Sequence, residues 1–275
     1  MNVFDQMLSR YSIKTNDDKI NAQHEVMQQI TLAGLYRGGF FNKAAFYGGT
    51  CLRIFYGLER FSEDMDFSLL QKDESFNLEN YFEPIINEFK ALGRDVIISK
   101  KNKSRQTNIK SAFFKDDSAI YNLQFRTERR IKIKIEVDTN PTVGFTTEQK
   151  LLLLPFSFMS HCYTLPDLYA GKMHALLFRR WENRVKGRDW YDFEWYVKNN
   201  IALNFEHLCK RINQSETLDI EFTQESFKEL LKDKISKTSI KMVKADISPF
   251  IKNLEKIDIW GVEYFTQLVD MIRFK

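Results

Sequence analysis

The sequence predicts an α+β protein, with a small, strongly twisted mixed sheet in the N-terminal part and helices in the C-terminal part. Short strand-forming runs occur between residues 44 and 137, and helical periodicity dominates afterwards. Pro141, Gly144 and a polar stretch at residues 146–150 separate the two patterns. We therefore expect two domains, one at residues 1–145 and a helical one at residues 146–275.

The composition is typical of a globular protein. A chain of 275 residues with 43% hydrophobic content can form a sizeable core. No apolar run approaches the ~20 residues of a membrane span, and the N-terminus lacks the apolar run of a secretory signal. Three cysteines at unrelated spacings do not suggest a zinc site. We expect a cytoplasmic protein with reduced thiols.

The first predicted helix precedes the strands. Asp17 or Asp18 can cap it, and it runs to about Tyr36, where a glycine pair ends it. Apolar residues at helical spacing form its expected buried face: Val26, Ile30 and Ala33. A second amphipathic helix is expected at residues 78–92, where apolar residues recur at intervals of four and three.

Strand-like runs follow the second helix, at residues 96–99, 109–114, 120–125 and 131–137. The last run is the clearest, because apolar and charged residues alternate along it. One of its faces therefore belongs to the core and the other carries charge. Further along, helical patterns are expected at residues 166–184 and from about Asp189.

The stretch of most chemical interest comprises residues 46–53 and 60–67, which read as strand, glycine turn, short helix and second strand. Asp64 and Asp66 would share one face of an extended strand, where a divalent cation relieves their repulsion. Gly48 and Gly49 let backbone N–H groups approach an anion closely at a helix N-terminus. The stretch predicts a phosphate cradle beside a metal site, although each piece alone also fits a purely structural role.

Two motifs here resemble a known signature. Gly-Gly-Thr-x-Leu-Arg followed by Arg-x-Ser-x-Asp-x-Asp-Phe is similar to the AbiE-type (AbiEii/AbiGii) nucleotidyltransferase toxins, in the DNA polymerase β-like nucleotidyltransferase superfamily. Residues 170–176 and 186–192 resemble the third motif of that family, which pairs a helical lysine with Arg-Asp-x-x-Asp. The chain has Gly48-Gly49 where the wider superfamily commonly has Gly-Ser, and Thr50 or Ser62 would replace the missing hydroxyl.

The resemblance implies a nucleotidyltransferase-type N-terminal domain that transfers NMP from an NTP to an acceptor. It also implies a Mg²⁺ or Mn²⁺ site on Asp64, Asp66 and a third carboxylate, for which Glu136 is the best match. Asp138 on the same face is the alternative. A structural reading, in which both acids only pair with Lys132 and Lys134, stays open.

The implied catalytic residues are Asp64, Asp66, Glu136 and Lys172. The implied nucleotide-binding residues are Gly48, Gly49, Thr50, Arg53, Ser62, Lys172, Arg179 (or Arg180), Asp189 and Asp192. Three of these have a plain structural alternative: Asp189 as a helix N-cap, Ser62 as a serine that bonds the strand turn, and Lys172 as an ordinary surface lysine.

The implied acceptor is an RNA, such as the 3′ end of a tRNA, with a protein tail or a small-molecule hydroxyl as the alternative. The implied setting is a toxin–antitoxin pair in which an antitoxin protein is a possible partner. The charge distribution permits a polyanion, because residues 93–135 carry twelve Lys or Arg against four acids. A basic loop beside the cleft would comprise Lys100, Lys101, Lys103 and Arg105. The same charge would also suit a solvated face.

Two other classes of function fit parts of the pattern. A metal-dependent nuclease uses the same carboxylates, but it needs neither a glycine phosphate cradle nor a lysine that faces a triphosphate. A catalytically silent binding module with the same fold would be expected to lack one of the carboxylates. The sequence contains all of them.

Overall fold

The structure of the protein is a computed structural model that describes residues 2–100, 118–125, 131–179, 185–216 and 222–275. Its helices are α1 (Val3–Leu8), α2 (Asn16–Arg37), α3 (Gly48–Tyr56), α4 (Phe82–Ala91), α5 (Leu165–Phe178), α6 (Gly187–Lys198), α7 (Phe205–Ser215), α8 (Gln224–Ser236), α9 (Ile240–Ile247) and α10 (Val262–Asp270). Its strands are β1 (Ala44–Tyr47), β2 (Met65–Leu69), β3 (Val96–Lys100), β4 (Ser118–Phe125), β5 (Lys132–Asp138), β6 (Thr147–Leu152), β7 (Phe158–Tyr163), β8 (Ala202–Leu203) and β9 (Arg273–Phe274).

A seven-stranded mixed sheet, in the order β3-β4-β5-β2-β1-β7-β6, organises the fold. Strands β2 and β5 run parallel, as do β1 and β7, and the other neighbours are antiparallel. The register of β2 and β5 places Asp66 opposite Glu136, so the two side chains lie on one face. The predicted α+β class with a mixed sheet is confirmed.

The sheet extends further along the chain than the sequence pattern indicates. Strands β6 and β7 follow residue 145, yet β7 pairs with β1 near the middle of the sheet. The expectation that strands end at residue 137 is therefore wrong, and the predicted boundary after residue 145 falls within the sheet. The pattern missed β7 because Ser160, one of its fully buried positions, is polar.

The predicted helices of the N-terminal part are present, with shifted ends. Helix α2 begins one residue before Asp17, because Thr15 is its N-cap and Asp18 completes a capping box. The predicted helix at residues 78–92 starts as a 3₁₀ turn, Leu78–Tyr81, and continues as α4, with Pro84 in the first turn of α4. The strand-like run at residues 109–114 lies outside the described residues.

The later helices pack against the sheet and one another. Helix α5 contacts α6 and α7, α6 contacts α9, and α8 contacts α10. The short strands β8, between α6 and α7, and β9, after α10, pair in parallel. None of the helices in the described ranges has the length and apolar character needed to cross a membrane.

Helix α2 crosses α4 closely at Gly34. A Cβ at this position would lie 2.5 Å from the Ile85 Cα, so Gly34→Ala should push the helices apart. We expect a loss of about 1–3 kcal/mol in the free energy of unfolding, measured by urea denaturation. Gly171→Ala is the matched control in α5, because its Cβ would meet only the Arg211 side chain, at 3.9 Å. That variant should gain about 0.5–1 kcal/mol, and equal effects at both sites would contradict the packing argument.

Candidate active site

A cavity of about 490 Å³ lies where the glycine turn, the strand carboxylates and helices α5, α6 and α7 meet. The acidic side chains that reach it from the sheet and from the turn before β2 are Asp64, Asp66, Glu136 and Asp138. The cationic side chains on its wall are Arg60, Lys134, Lys172, Arg179, Lys186, Arg188 and Arg211. Three separate stretches of sequence thus supply one site.

The glycine turn begins α3 and lines the cavity. Gly48 has a φ of +81°, and a Cβ on it would lie 2.5 Å from a carboxylate oxygen of Asp66. A Cβ on Gly49 would lie 2.7 Å from the Arg60 guanidinium and 2.9 Å from the Ser62 hydroxyl. Glycine is required at both positions because the turn passes directly over these side chains.

Ser62 lines the cavity, whereas Thr50 and Arg53 do not. The buried Thr50 hydroxyl bonds the Asp64 carbonyl and lies 2.9 Å from Ser62 Oγ, so it supports the turn before β2. Arg53 is paired with Glu25 at 2.9 Å. Its guanidinium also donates to the carbonyls of residues 58 and 59, at 3.0 and 2.7 Å. The structure therefore does not bring Thr50 or Arg53 to the cavity, because both side chains are committed to the scaffold.

The carboxylates on β2, on β5 and in the turn before β2 lie close enough to repel one another. Burial, together with the charges of Glu136 and Asp64, raises the pKa of Asp66 to about 6. Glu136 is ion-paired with Lys134 at 2.5 Å. Among the described residues, no three acidic, histidine or cysteine side chains are arranged to hold a metal ion. The predicted ligands share the cavity, but they do not form a ready coordination site.

Lys172 stands between two buried carboxylates at the start of α6. Its ammonium is 3.0 Å from Asp189 and 2.8 Å from Asp192. Asp189 also bonds Arg179 at 2.6 Å. Burial alone would raise the pKa of Asp189, but Lys172 and Arg179 outweigh it and hold that pKa below its usual range. The N-cap of α6 is residue 186, so the structural reading of Asp189 as a cap is wrong.

Asp192 has a second partner that the sequence reading did not assign. The Arg60 guanidinium bonds both of its carboxylate oxygens at 2.6 Å. Arg60 is 2% exposed and Asp192 is fully buried. Despite burial, the Arg60 and Lys172 charges lower the pKa of Asp192. Arg60 is the first residue of the Arg-x-Ser-x-Asp-x-Asp motif, and its place in this motif is the sequence signal that could have identified it as a site residue.

Lys186 is another cavity residue that the sequence reading left without a role. Burial lowers its pKa to about 8, and nearby Arg179 and Lys172 act in the same direction. Of the two predicted arginines at 179 and 180, Arg179 lines the cavity and Arg180 lies outside the described residues. The lysine and arginine cluster around Asp189 is suited to a polyanion such as a triphosphate.

The predicted basic loop is described only at its first residue. Lys100 ends β3, lies 3.9 Å from Glu79 and does not line the cavity. Lys101, Lys103 and Arg105 lie outside the described residues.

The architecture is that of a nucleotidyltransferase. MenT4, a nucleotidyltransferase toxin from Mycobacterium tuberculosis H37Rv, superposes with a TM-score of 0.59 at 15% identity, over 96% of this chain and 86% of that one. JHP933 from Helicobacter pylori superposes with a TM-score of 0.56 at 16% identity, over 94% and 93% of the two chains. At these identities the likeness establishes the fold. No curated protein matches the chain in sequence.

The family follows from the sequence match. The family model described as "Nucleotidyl transferase AbiEii toxin, Type IV TA system" matches residues 30–268. The chain therefore belongs to the AbiEii family of nucleotidyltransferase toxins, and it is a nucleotidyltransferase. The resemblance drawn from the two glycine and aspartate motifs is confirmed.

The pKa of Asp66 predicts a pH-dependent stability. The pKa of Asp66 is about 6 in the folded chain, against an ordinary value of 3.8, so the folded chain binds this proton more tightly. The charged form of Asp66 therefore destabilises the fold. This loss of stability grows between pH 4 and 6 and is complete above pH 6. With chelator present, Asp66→Asn should be more stable than wild type by roughly 2–3 kcal/mol at pH 7.5 and equal to it near pH 4. Denaturant titrations across this range measure the difference. A stability difference between the variant and wild type that does not change with pH would contradict the argument. Glu63→Gln, which removes a neighbouring exposed carboxylate, is the control.

The Arg60–Asp192 pair predicts a large loss of stability. Arg60→Met leaves Asp192 buried with Lys172 as its one remaining cation among the described residues. We expect a loss of about 3–5 kcal/mol in the free energy of unfolding. Glu59→Gln, at the next position, breaks only an exposed pair with Lys256 and should cost at most about 1 kcal/mol. Similar losses in the two variants would show that the buried pair is not a structural requirement.

Proposed function

We propose that the protein transfers NMP from an NTP to an RNA acceptor, the 3′ end of a tRNA, with a divalent cation, and acts as the toxin of a toxin–antitoxin pair. The observation that carries this proposal is that one cavity joins the glycine turn, the strand carboxylates and the Lys172 cluster, which comprises Lys172, Arg179 and Lys186 around Asp189. The cytoplasm, which holds NTPs and tRNA, is the compartment this function requires, and an antitoxin is the expected protein partner.

The triphosphate is bound between the glycine turn and the cationic wall. Phosphoryl transfer depends on positioning and on cancellation of charge at the phosphate oxygens. Gly48 and Gly49 begin α3 and line the cavity, and the N-terminus of a helix favours a bound anion. Lys172 is held by Asp189 and Asp192, so its ammonium is oriented before the nucleotide arrives. Arg179 supplies a second positive charge beside it.

Asp64, Asp66 and Glu136 would hold the divalent cation, with Asp138 as the alternative third ligand. The fit rests on the donor chemistry, because crowded oxygen ligands with a raised pKa are the set that a hard cation stabilises. When bound, Mg²⁺ or Mn²⁺ supplies charge neutralisation at the reacting phosphate. Lys134 contacts Glu136 through Oε2, so the other carboxylate oxygen of Glu136 would be the one to ligate the cation.

The competing classes of function are less well supported. A nuclease does not handle a triphosphate, so it has no use for a lysine held by two buried carboxylates above a glycine turn. A silent binding module has no need to keep the acids of β2 and β5 side by side at a cost in charge repulsion. An RNA acceptor is supported by the cationic wall and by the basic residues at positions 93–135.

The proposal is tested with labelled NTPs. We expect that the protein, incubated with Mg²⁺, total tRNA and each α-labelled NTP in turn, moves label onto RNA and releases pyrophosphate. Asp64→Ala or Asp66→Ala should lower transfer at least about 10²-fold with the fold retained, since each removes a charge at the reacting phosphate. Lys172→Ala should mainly raise the KM for NTP.

Glu59→Gln is the control for the loss of an acidic residue near the site, and it should transfer at the wild-type rate because its side chain points to Lys256. Circular dichroism and thermal unfolding check each variant. Unchanged transfer in Asp64→Ala and Asp66→Ala would refute the catalytic assignment. Shortened RNA in place of labelled RNA would identify a nuclease.

A further inference from the structure

Strand β6 forms one edge of the seven-stranded sheet. Among the described residues its only strand neighbour is β7, so one side of its backbone has no strand to pair with. The strand is 6 residues long, and neither proline nor glycine interrupts it. A regular, exposed edge of this kind is a template for pairing with a further strand. Strand β6 therefore offers its outer backbone groups to a partner.

The register of β6 and β7 determines which backbone groups of β6 point outwards. The Thr164 N–H donates to the carbonyl of Thr146 at 3.1 Å, and these two residues continue the register of the two strands. Bonded and non-bonded pairs alternate in an antiparallel ladder, so the even-numbered residues of β6 bond to β7. The N–H and carbonyl groups of Thr147, Gln149 and Leu151 consequently point away from the sheet.

Apolar side chains are exposed beside this edge. Leu151 is 56% exposed, and Met159, directly opposite it on β7, is 40% exposed. Both side chains lie on the same face of the sheet, because opposite residues of an antiparallel pair point to the same side. Leu153, just after the strand, is also 56% exposed. Burial of these side chains by a partner strand would remove apolar surface from water.

The charges of β6 are complementary to those of a second β6. Glu148 and Lys150 are two positions apart, so they point to the same face. If two copies of β6 lie antiparallel with Gln149 opposite Gln149, each Glu148 stands opposite Lys150 of the other copy. A centre one residue away in either direction would oppose like charges, which is repulsive. A centre at Leu151 would leave both charges opposite leucines.

The two charged side chains are held in position before any partner arrives. Glu148 and Lys150 form an ion pair at 3.1 Å within one chain. The Tyr56 hydroxyl at the end of α3 donates to Glu148 at 2.7 Å, and the Lys150 ammonium lies 4.4 Å from the centre of the Tyr56 ring. Side chains ordered in this way lose less conformational entropy when a second copy binds.

We propose that two copies of the chain pair along β6 in an antiparallel ladder centred on Gln149, which joins their sheets into one continuous sheet. The pairing satisfies the outward backbone groups of the odd-numbered residues and brings Leu151 against Thr147 of the other copy. A two-fold axis through Gln149 closes the contact, so assembly ends at a dimer. None of the residues of β6 lines the active-site cavity, so the dimer does not depend on the proposed function.

The first test measures the oligomeric state of the full chain by sedimentation velocity. Wild type should change from one copy to two as the protein concentration rises to roughly 100 μM. Lys150→Glu places carboxylates opposite one another across the axis, so it should raise the dimer dissociation constant at least about tenfold. Glu148→Lys combined with Lys150→Glu restores opposite charges and should bring the constant back to within about threefold of wild type.

Lys237→Glu is the control for the change in net charge. It breaks an exposed ion pair with Asp233 at the end of α8, away from β6, and should dimerise as wild type does. Thermal unfolding of each variant checks that it is folded. Wild type that stays a single copy at every concentration would overturn the inference, and so would a dissociation constant that Lys150→Glu leaves unchanged.

The second test examines the register by cross-linking, and it decides the matter if Lys150→Glu does not fold. With a mild oxidant, Gln149→Cys should link two copies, because opposite Cα atoms of a bonded pair are about 5.5 Å apart, within reach of a disulfide. Leu151→Cys is the matched control on the same exposed strand, since its counterpart would be roughly 13 Å away. Wild type gives the background from the half-buried Cys209. Linkage through Leu151→Cys, or none through Gln149→Cys, would contradict the proposed register and overturn the inference.

Discussion

The buried pair of Arg60 and Asp192 is the interaction on which the rest of the site depends. It joins the turn before β2 to helix α6, and both charges are almost completely removed from water. Each charge is tolerable only with the other in place. The pair also fixes its surroundings, because the Arg60 guanidinium occupies the space above Gly49 and the Oδ2 atom of Asp192 also binds Lys172. Disturbing one charge therefore moves the phosphate cradle and the lysine together.

The seven-stranded sheet sets the distances between the other groups of the site. Strands β1 and β7 are parallel neighbours, and each leads directly into a helix, α3 with the glycine turn and α5 with Lys172. Strands β2 and β5 are also parallel, and their register places Asp66 beside Glu136. One pair of hydrogen-bonded strands thus positions the glycine turn and Lys172, and another pair positions the two carboxylates. Paired strands hold such distances more firmly than loops do.

Much of the site was predictable from sequence because its signals are local. The glycine turn, the acids of β2 and β5, and Lys172 with Asp189 and Asp192 all lie where the motifs indicate. What sequence could not supply was the choice of partner. Arg53 and Arg60 are seven residues apart and equally basic, yet one reaches Glu25 in the scaffold and the other reaches Asp192 in the cavity. Strand β7 escaped notice for a related reason, because the buried polar Ser160 breaks the apolar pattern of the strand.

The order of these residues along the chain has a consequence for biosynthesis. Asp192 follows Arg60 by 132 positions, so it leaves the ribosome roughly 7–26 s later at 5–20 residues per second. During that interval the Arg60 guanidinium lacks the Asp192 carboxylate that accompanies it into the interior. A nascent chain that does not yet include Asp192 therefore cannot assemble the nucleotide pocket. The nucleotide pocket can form only after residue 192 of the 275 has been added to the chain.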